Sequence, residues 1–559
     1  MENVEVHQSE WDVIVVGGGV AGTFAAIEAS KAGAKTVIVD KANIFRSGCA
    51  SAGNDHFMAF LEAGEEWDTK KSFLDYYQRL TKKFVDINVA EKVFAENIIE
   101  VVKLLEQMGV QMKDPQTNRY IRTRSFGQPG DYYLNFQGRD IKPILTKEAI
   151  KKGAKLMPYI YTTNLLVNEN KIFGAIGFNI HTGDIHVFRG KKVILATGNI
   201  GRLANNNTGN PYNCWHSPYN TGTAISLAFK VNATLSNMEF IHYTLVPRNF
   251  SAPGVNALVG MGCHLVNALG ERYIFKYDER GEQGPRWVLP WSTYWEIKEG
   301  RGPCYFDLRH LSSENFDHLT KKLLPVDKNT FMDYVRQKGL DLKKDLLEVE
   351  ISEGQLSATI GSISGILINE KCETTVENLY AAGGCATTVS NLSGSMCSGL
   401  MSGREAAKAA AAVRSGEQND IELTYVDELK EKINKLKNGG GKISYLIFEN
   451  KIRQIMSNYV GIGRTELGLD TAMKELNKWS SLENEIHTGT NHEIMKAFES
   501  SDLMITAQLM ATAAKERKES RFGLNHFRGD FPDSDTNWNK ITLLNNSKGE
   551  IKLSYKDIN

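Results

Sequence analysis

The stretch WDVIVVGGGVAGTFAAIEASKAGAKTVIVD, residues 11–40, decides the fold. It opens with a β-branched run that stops at Gly17-Gly18-Gly19-Val20-Ala21-Gly22. TFAAIEASKAGA then has helical character, and Thr36 to Val39 is a second strand closing on Asp40. Strand, glycine turn, helix, strand and acid in this order predict a βαβ unit that binds a dinucleotide. Gly17 permits the tight turn, Gly19 lets the backbone approach a pyrophosphate, and Gly22 allows close helix packing. Val20 and Ala21 open the helix whose N-terminus faces the phosphates. Asp40 is expected to hold a ribose hydroxyl pair, with Lys41 beside it. The alternative reading is a glycine-rich turn without a ligand.

Around this unit lies an ordinary globular composition: 559 residues, 66 basic against 66 acidic side chains, 42% hydrophobic and 24% charged. At about 150 residues per domain, this length implies three or four structural units and excludes a small scaffold. Charge balance gives no general footprint for nucleic acid or an anionic membrane. The N-terminus, MENVEVHQSEWD, lacks the basic and apolar blocks of a secretory signal. The uncharged stretch 378–403 is filled with Gly, Ser and Thr, unlike a membrane span. The seven cysteines are widely spaced with no CxxC, so neither an iron–sulfur cluster nor a metal site is expected within the chain. A soluble, cytoplasmic protein is the expectation.

Three further segments favour a flavin over a nicotinamide dinucleotide. KANIFRSGCASAGND follows Asp40 where a nicotinamide domain would pass directly into its next βα unit. Lys192 to Asn199, KVILATGN, reads as a strand ending in Ala196-Thr197-Gly198, and Leu379 to Gly384, LYAAGG, as another with a glycine stop. With these elements in this order, nearly the whole chain resembles the fumarate reductase, succinate dehydrogenase and adenylylsulfate reductase flavoprotein superfamily. Thr208 to Thr223 (TGNPYNCWHSPYNTGT), Asn237 to Arg248, Glu299 to Asp307 and Gly138 to Ile144 look closest to the adenylylsulfate reductase alpha-subunit branch.

The resemblance implies an α/β fold: a Rossmann-type FAD-binding domain (1–240 and 353–420) split by an inserted α+β capping domain (241–352), then a mainly helical C-terminal domain (421–559). The charged, helix-patterned stretch 316–347 suits a peripheral insertion. The tail from Asp530 shows little periodicity and is expected to wrap the surface. FAD contacts are implied at the glycine loop, Asp40 and Lys41, Ser47 and Gly48, Gly53 and Asn54, Ala196 to Gly198, Thr221 and Gly222, Gly383 and Gly384, and Ser395 and Met396. Relatives with covalent FAD carry a histidine where this chain has Gly48, so non-covalent FAD is expected. Gly384 stands where the family usually has an acid for the ribitol.

Substrate-side residues depart further from the family. Thr244 replaces the histidine of the fumarate branch's HPT motif, and Asn391 stands near its arginine. Pro247-Arg248 matches an arginine of the adenylylsulfate branch and makes Arg248 the candidate for binding a substrate anion, against a surface or interface role. Trp215 matches that branch's aromatic channel wall. Its active-site histidine, in a GSHSG run, is Ile363 here. His242 is a candidate replacement acid–base group, against a core histidine. In ESRFGLNHFRGDFP, His526 and Arg528 either line the site or form a structural lock with Asp530. The family implies a ferredoxin-like iron–sulfur partner, and attachment to a membrane complex would be peripheral. Three functions stay open: two-electron chemistry on a small anionic substrate, adenylylsulfate reduction proper, or a flavin electron-transfer module.

Overall fold

The computed structural model describes residues 4–54, 56–124, 128–205, 217–250, 255–324, 331–352, 354–356, 361–389, 391–413 and 421–558. Strand β1 (Val6–Val16) runs parallel to β2 (Thr36–Asp40), and β2 runs parallel to β3 (Lys155–Pro158). On the other side of β1 lies β6 (Ile185–Leu195), preceded by the antiparallel meander of β4 (Ile160–Asn168) and β5 (Lys171–Asn179). One edge of β6 is shared: β5 pairs with its first half, and β7 (Leu379–Ala381) joins in parallel at Val193 to Leu195. The sheet therefore closes with a strand that arrives nearly two hundred residues later in the chain. Val13 to Val16 and Val37 to Val39 are buried, as expected for parallel strands covered on both faces.

Helix α1 (Val20–Lys31) lies against α6 (Asn391–Ala411), the helix that follows β7. Their packing is backbone against backbone. A Cβ on Gly399 would sit 2.3 Å from the Ala21 carbonyl oxygen, and one on Gly403 2.2 Å from that of Ala25. Small residues on both helices thus bring the start of α6 beside the glycine loop. Between them in the chain, α2 spans Lys70–Leu80, α3 Ile141–Lys151, α4 Thr223–Lys230 and α5 Val288–Lys298.

Residues 245–351 form an antiparallel sheet of Leu245–Pro247, Leu347–Ile351, Cys304–Asp307 and His264–Val266, in that spatial order, with a core of their own that includes Leu258, Phe306 and Val349. Towards the C-terminus, α7 (Tyr445–Tyr459), α8 (Glu466–Ser480) and α9 (Asn491–Glu516) pack together. Helix α9 opens with a capping box formed by Thr490 and Glu493. Among the described residues no helix is long and apolar enough to cross a membrane.

The tail does more than wrap the surface. Lys540–Ser547 and Glu550–Asp557 form a hairpin whose first strand pairs with Leu235–Ser236. Lys548 (φ 55°) and Gly549 (φ 91°) make a two-residue turn with consecutive positive φ, matching the twist of a hairpin. Strict alternation is lost because Thr542 is buried beside Ile541, its hydroxyl held by Arg517 and Glu239. That is why the segment does not read as a strand.

Candidate functional site

The first turn of α1, the ends of β2, β6 and β7, and the start of α6 meet around Gly17–Gly22. Gly17 (φ 104°) packs so tightly that a Cβ would lie 2.5 Å from the Ala196 carbonyl oxygen, and a Cβ on Gly22 would fall 1.9 Å from that of Gly17. By contrast, the nearest atom to a Cβ on Gly19 is the Gly48 Cα at 3.9 Å, so the α1 N-terminus keeps room for a phosphate. Asp40 accepts from the backbone N–H of Gly18 at 2.5 Å and from Ala42 at 2.7 Å, which holds the carboxylate at the strand end beside the loop. Ser47 donates to the Gly18 carbonyl at 2.9 Å, bringing the Ser47-Gly48 segment over the turn. Thr197 accepts from the N–H of Ala224, next to Thr221 and Gly222, and a Cβ on Gly383 would meet Ala21 at 2.8 Å and the Ser395 hydroxyl at 3.5 Å. Met396 is fully buried at the same helix start, and Gly384 packs near Asn199. Gly53 and Asn54 lie against Gly138 and Arg139. The glycine cradle and its acid fit an FAD. Gly22→Ala is expected to yield flavin-free or insoluble protein, read as flavin absorbance per protein after purification; overpacking of this kind costs about 1–3 kcal/mol or more.

Lys41 faces away from Asp40 into a buried charge cluster. It donates to Glu499 at 2.6 Å, and Glu499 also receives Arg202 and Lys496, each at 2.8 Å. The cluster ties the end of β2 to α9.

The substrate-side candidates scatter. Arg248 is 45% exposed and pairs with Glu348 at 2.5 Å on the antiparallel sheet. His242 is buried in a two-residue strand paired with Gln355-Leu356. His526 is fully buried. Arg464 can only donate, so Nδ1 accepts from it at 2.7 Å and Nε2 donates to the Arg517 carbonyl at 3.1 Å. Burial, then the nearby Arg464 and Arg517, push its pKa well below the ordinary histidine value, so it is neutral in a fixed tautomer. Arg528 spends its N–H groups on Asp530, Glu466 and the carbonyls of Ala514, Lys515 and Arg517 at the end of α9. This pair forms a structural lock. Ile363 packs with Phe84, Phe240 and Leu524 in a small apolar cluster. Trp215 lies outside the described residues.

A different arginine converges on the junction. Arg286, just before α5, reaches Thr244 at 3.4 Å and faces the phenols of Tyr133 and Tyr76, the latter on α2. Its Nε has no contact with solvent, although the residue as a whole keeps part of its surface open. Desolvation lowers its pKa from the ordinary arginine value, so the site favours a negative partner for the charge. Its neighbours Trp287 and Trp291 stack on Phe522 and Phe527, with ring centroids 5.1–6.2 Å apart, clamping this turn to the C-terminal segment. The sequence signal is an arginine set in an aromatic run, GPRWVLPWSTYW. Among the described residues there is no group of three or more metal-ligating side chains.

The family model for the FAD binding domain matches residues 12–399, and the model for the fumarate reductase flavoprotein C-terminal region matches residues 449–559. The chain is 27% identical to a fumarate reductase (CoM/CoB) flavoprotein of Methanothermobacter marburgensis, over 97% of this chain and 98% of that protein. It is 28% identical to the L-aspartate oxidase of Saccharolobus solfataricus, over 93% and 96%. Among solved structures, adenylylsulfate reductase from Archaeoglobus fulgidus superposes with a TM-score of 0.86 over 100% of this chain and 97% of that one. At 21% identity this is a likeness of fold. With a glycine cradle, an acid at the second strand and a matching C-terminal region, the chain belongs to the FAD-binding fumarate reductase and succinate dehydrogenase flavoprotein family and is an FAD-dependent oxidoreductase.

Proposed function

We propose that this chain carries out two-electron oxidation or reduction of a small anionic substrate and exchanges electrons with a separate iron–sulfur protein. The observation that carries the reading is the desolvated guanidinium of Arg286, held among the hydroxyls of Thr244, Tyr76 and Tyr133 between the antiparallel-sheet layer and the FAD-binding layer. Arginine presents a planar fork of donors that matches a carboxylate or a sulfur oxyanion. FAD, when bound, supplies the two-electron couple. The protein's residues bind and orient the anion and exclude water around it. The relatives named above act, by their names, on fumarate, L-aspartate and adenylylsulfate, all small anions. The sequence has no cluster-spaced cysteines, which supports a separate electron carrier.

The test is anaerobic. Photoreduced holoprotein is mixed with fumarate, other unsaturated carboxylates and adenylylsulfate, and flavin reoxidation is followed. Saturable reoxidation by one of these anions is the expected result. Reoxidation by electron-carrier proteins alone would overturn the proposal in favour of an electron-transfer module. Oxidised protein is separately titrated with sulfite. The apolar packing of Ile363 leads us to expect the flavin band to persist, and bleaching would instead favour adenylylsulfate chemistry.

A further inference from the structure

Lys142, on α3, is fully buried directly beneath the glycine loop. Its ammonium donates to the Gly18 carbonyl at 2.7 Å and to the hydroxyls of Thr23 at 2.9 Å and Thr146 at 3.3 Å. The Ser47 hydroxyl donates to the same carbonyl at 2.9 Å, and Thr23 in turn donates to the Gly19 carbonyl at 2.8 Å. A trans peptide is planar, with its C=O and N–H pointing in opposite directions. Two donors holding the Gly18 oxygen inward therefore turn the N–H of Gly19 outward, to the side where Gly19 leaves open space. The ammonium also adds a full positive charge behind the partial charge of the α1 N-terminus.

We propose that Lys142 is the positioning cation of the diphosphate site: it locks the Gly18–Gly19 peptide with its N–H facing the FAD diphosphate and places a buried positive charge behind it. The inference rests on the FAD-binding assignment and is independent of the substrate. Burial is costly for a lysine without a carboxylate in contact, and the hydroxyls around it carry no charge. Among the described residues, Asp40 at the end of β2 is the charged group that acts on it, while Thr23 from α1, Ser47 from the following loop and Thr146 from its own helix face it as hydroxyls. Burial, against the pull of Asp40, draws its pKa down to about 7. An incoming diphosphate restores the charge.

Apoprotein is titrated with FAD, following quenching of flavin fluorescence. Lys142→Met is expected to weaken FAD binding about 10- to 100-fold, the size of a lost hydrogen-bonded charge, while its circular dichroism and apoprotein melting stay near those of the parent. A folded Lys142→Met apoprotein that binds FAD within about twofold of the parent would overturn the proposal. Unchanged parent binding alongside a weakened variant separates this result from failure of the FAD assignment. The parent protein gives a second reading that does not depend on the variant's folding. Calorimetric titration with FAD at about pH 7.5, in two buffers of different ionisation enthalpy, is expected to show proton uptake, and affinity is expected to fall between about pH 7 and 9. Absence of proton uptake together with a flat affinity would count equally against Lys142.

Discussion

Arg286→Lys is expected to lower the rate of flavin reoxidation by the substrate about 10²- to 10³-fold, the cost of removing one preorganised donor from a developing anion. The substitution keeps the charge and removes the planar fork, so it separates bidentate recognition from general electrostatics. Arg286 precedes α5 in the antiparallel-sheet layer, whereas the FAD cradle is built from β1, β2, β6 and the helices α1 and α6. The flavin spectrum and FAD content of the variant should therefore match the parent. Arg248→Ala is the companion variant. Its guanidinium is 45% exposed and paired with Glu348, so reoxidation is expected to change less than about twofold. If Arg248→Ala abolished turnover and Arg286→Lys left it intact, the assignment of the anion site would be reversed.

The second large effect is on stability. Glu499 is fully buried and receives Lys41, Arg202 and Lys496, while Arg202 also pairs with Glu449. Glu499→Ala leaves three cations around an empty, water-poor position, and breaking a buried ion pair in this way costs about 3–5 kcal/mol. Urea unfolding should show it as a lower midpoint at unchanged slope. A loss below about 1 kcal/mol would mean that water or rearranged side chains satisfy the cations. The pH dependence has a definite sign. Burial raises the Glu499 pKa, but Lys41, Arg202 and Lys496 override it and hold the carboxyl well below the usual range. A depressed folded pKa gives stability that is present above the unfolded value of about 4.3 and is lost only as pH falls through the folded value. The gap between parent and variant should thus be constant at neutral pH and close only in strong acid.

Much of the cofactor half is legible in the amino-acid sequence. Gly17, Gly19, Gly22 and Asp40 act through backbone conformation, close approach and position at the end of a strand, and all lie within one short segment. The strand ends Ala196 to Gly198 and Gly383-Gly384 carry the same kind of local signal, and the sheet brings both to the loop. Lys142 gives no such signal: in sequence it is a lysine on an ordinary helix, and only the packing of α3 under α1 puts its ammonium against Gly18.

The substrate half shows the limit more sharply. Position in a motif singles out Arg248, His526 and Arg528. Tertiary contacts turn the first to Glu348 on the surface and commit the other two to Arg464, Asp530 and the end of α9. Arg286 does not stand out in the sequence because its neighbours Thr244, Tyr76 and Tyr133 come from three distant segments. The tail escapes a strand reading for a related reason, since burial of Thr542 depends on Arg517 and Glu239 rather than on alternation within the strand. Sequence alone determined the dinucleotide fold, because its signals are backbone geometry repeated at short range. Only the tertiary structure decided which cations face the site, because a charged side chain's role is set by the partners that folding brings to it.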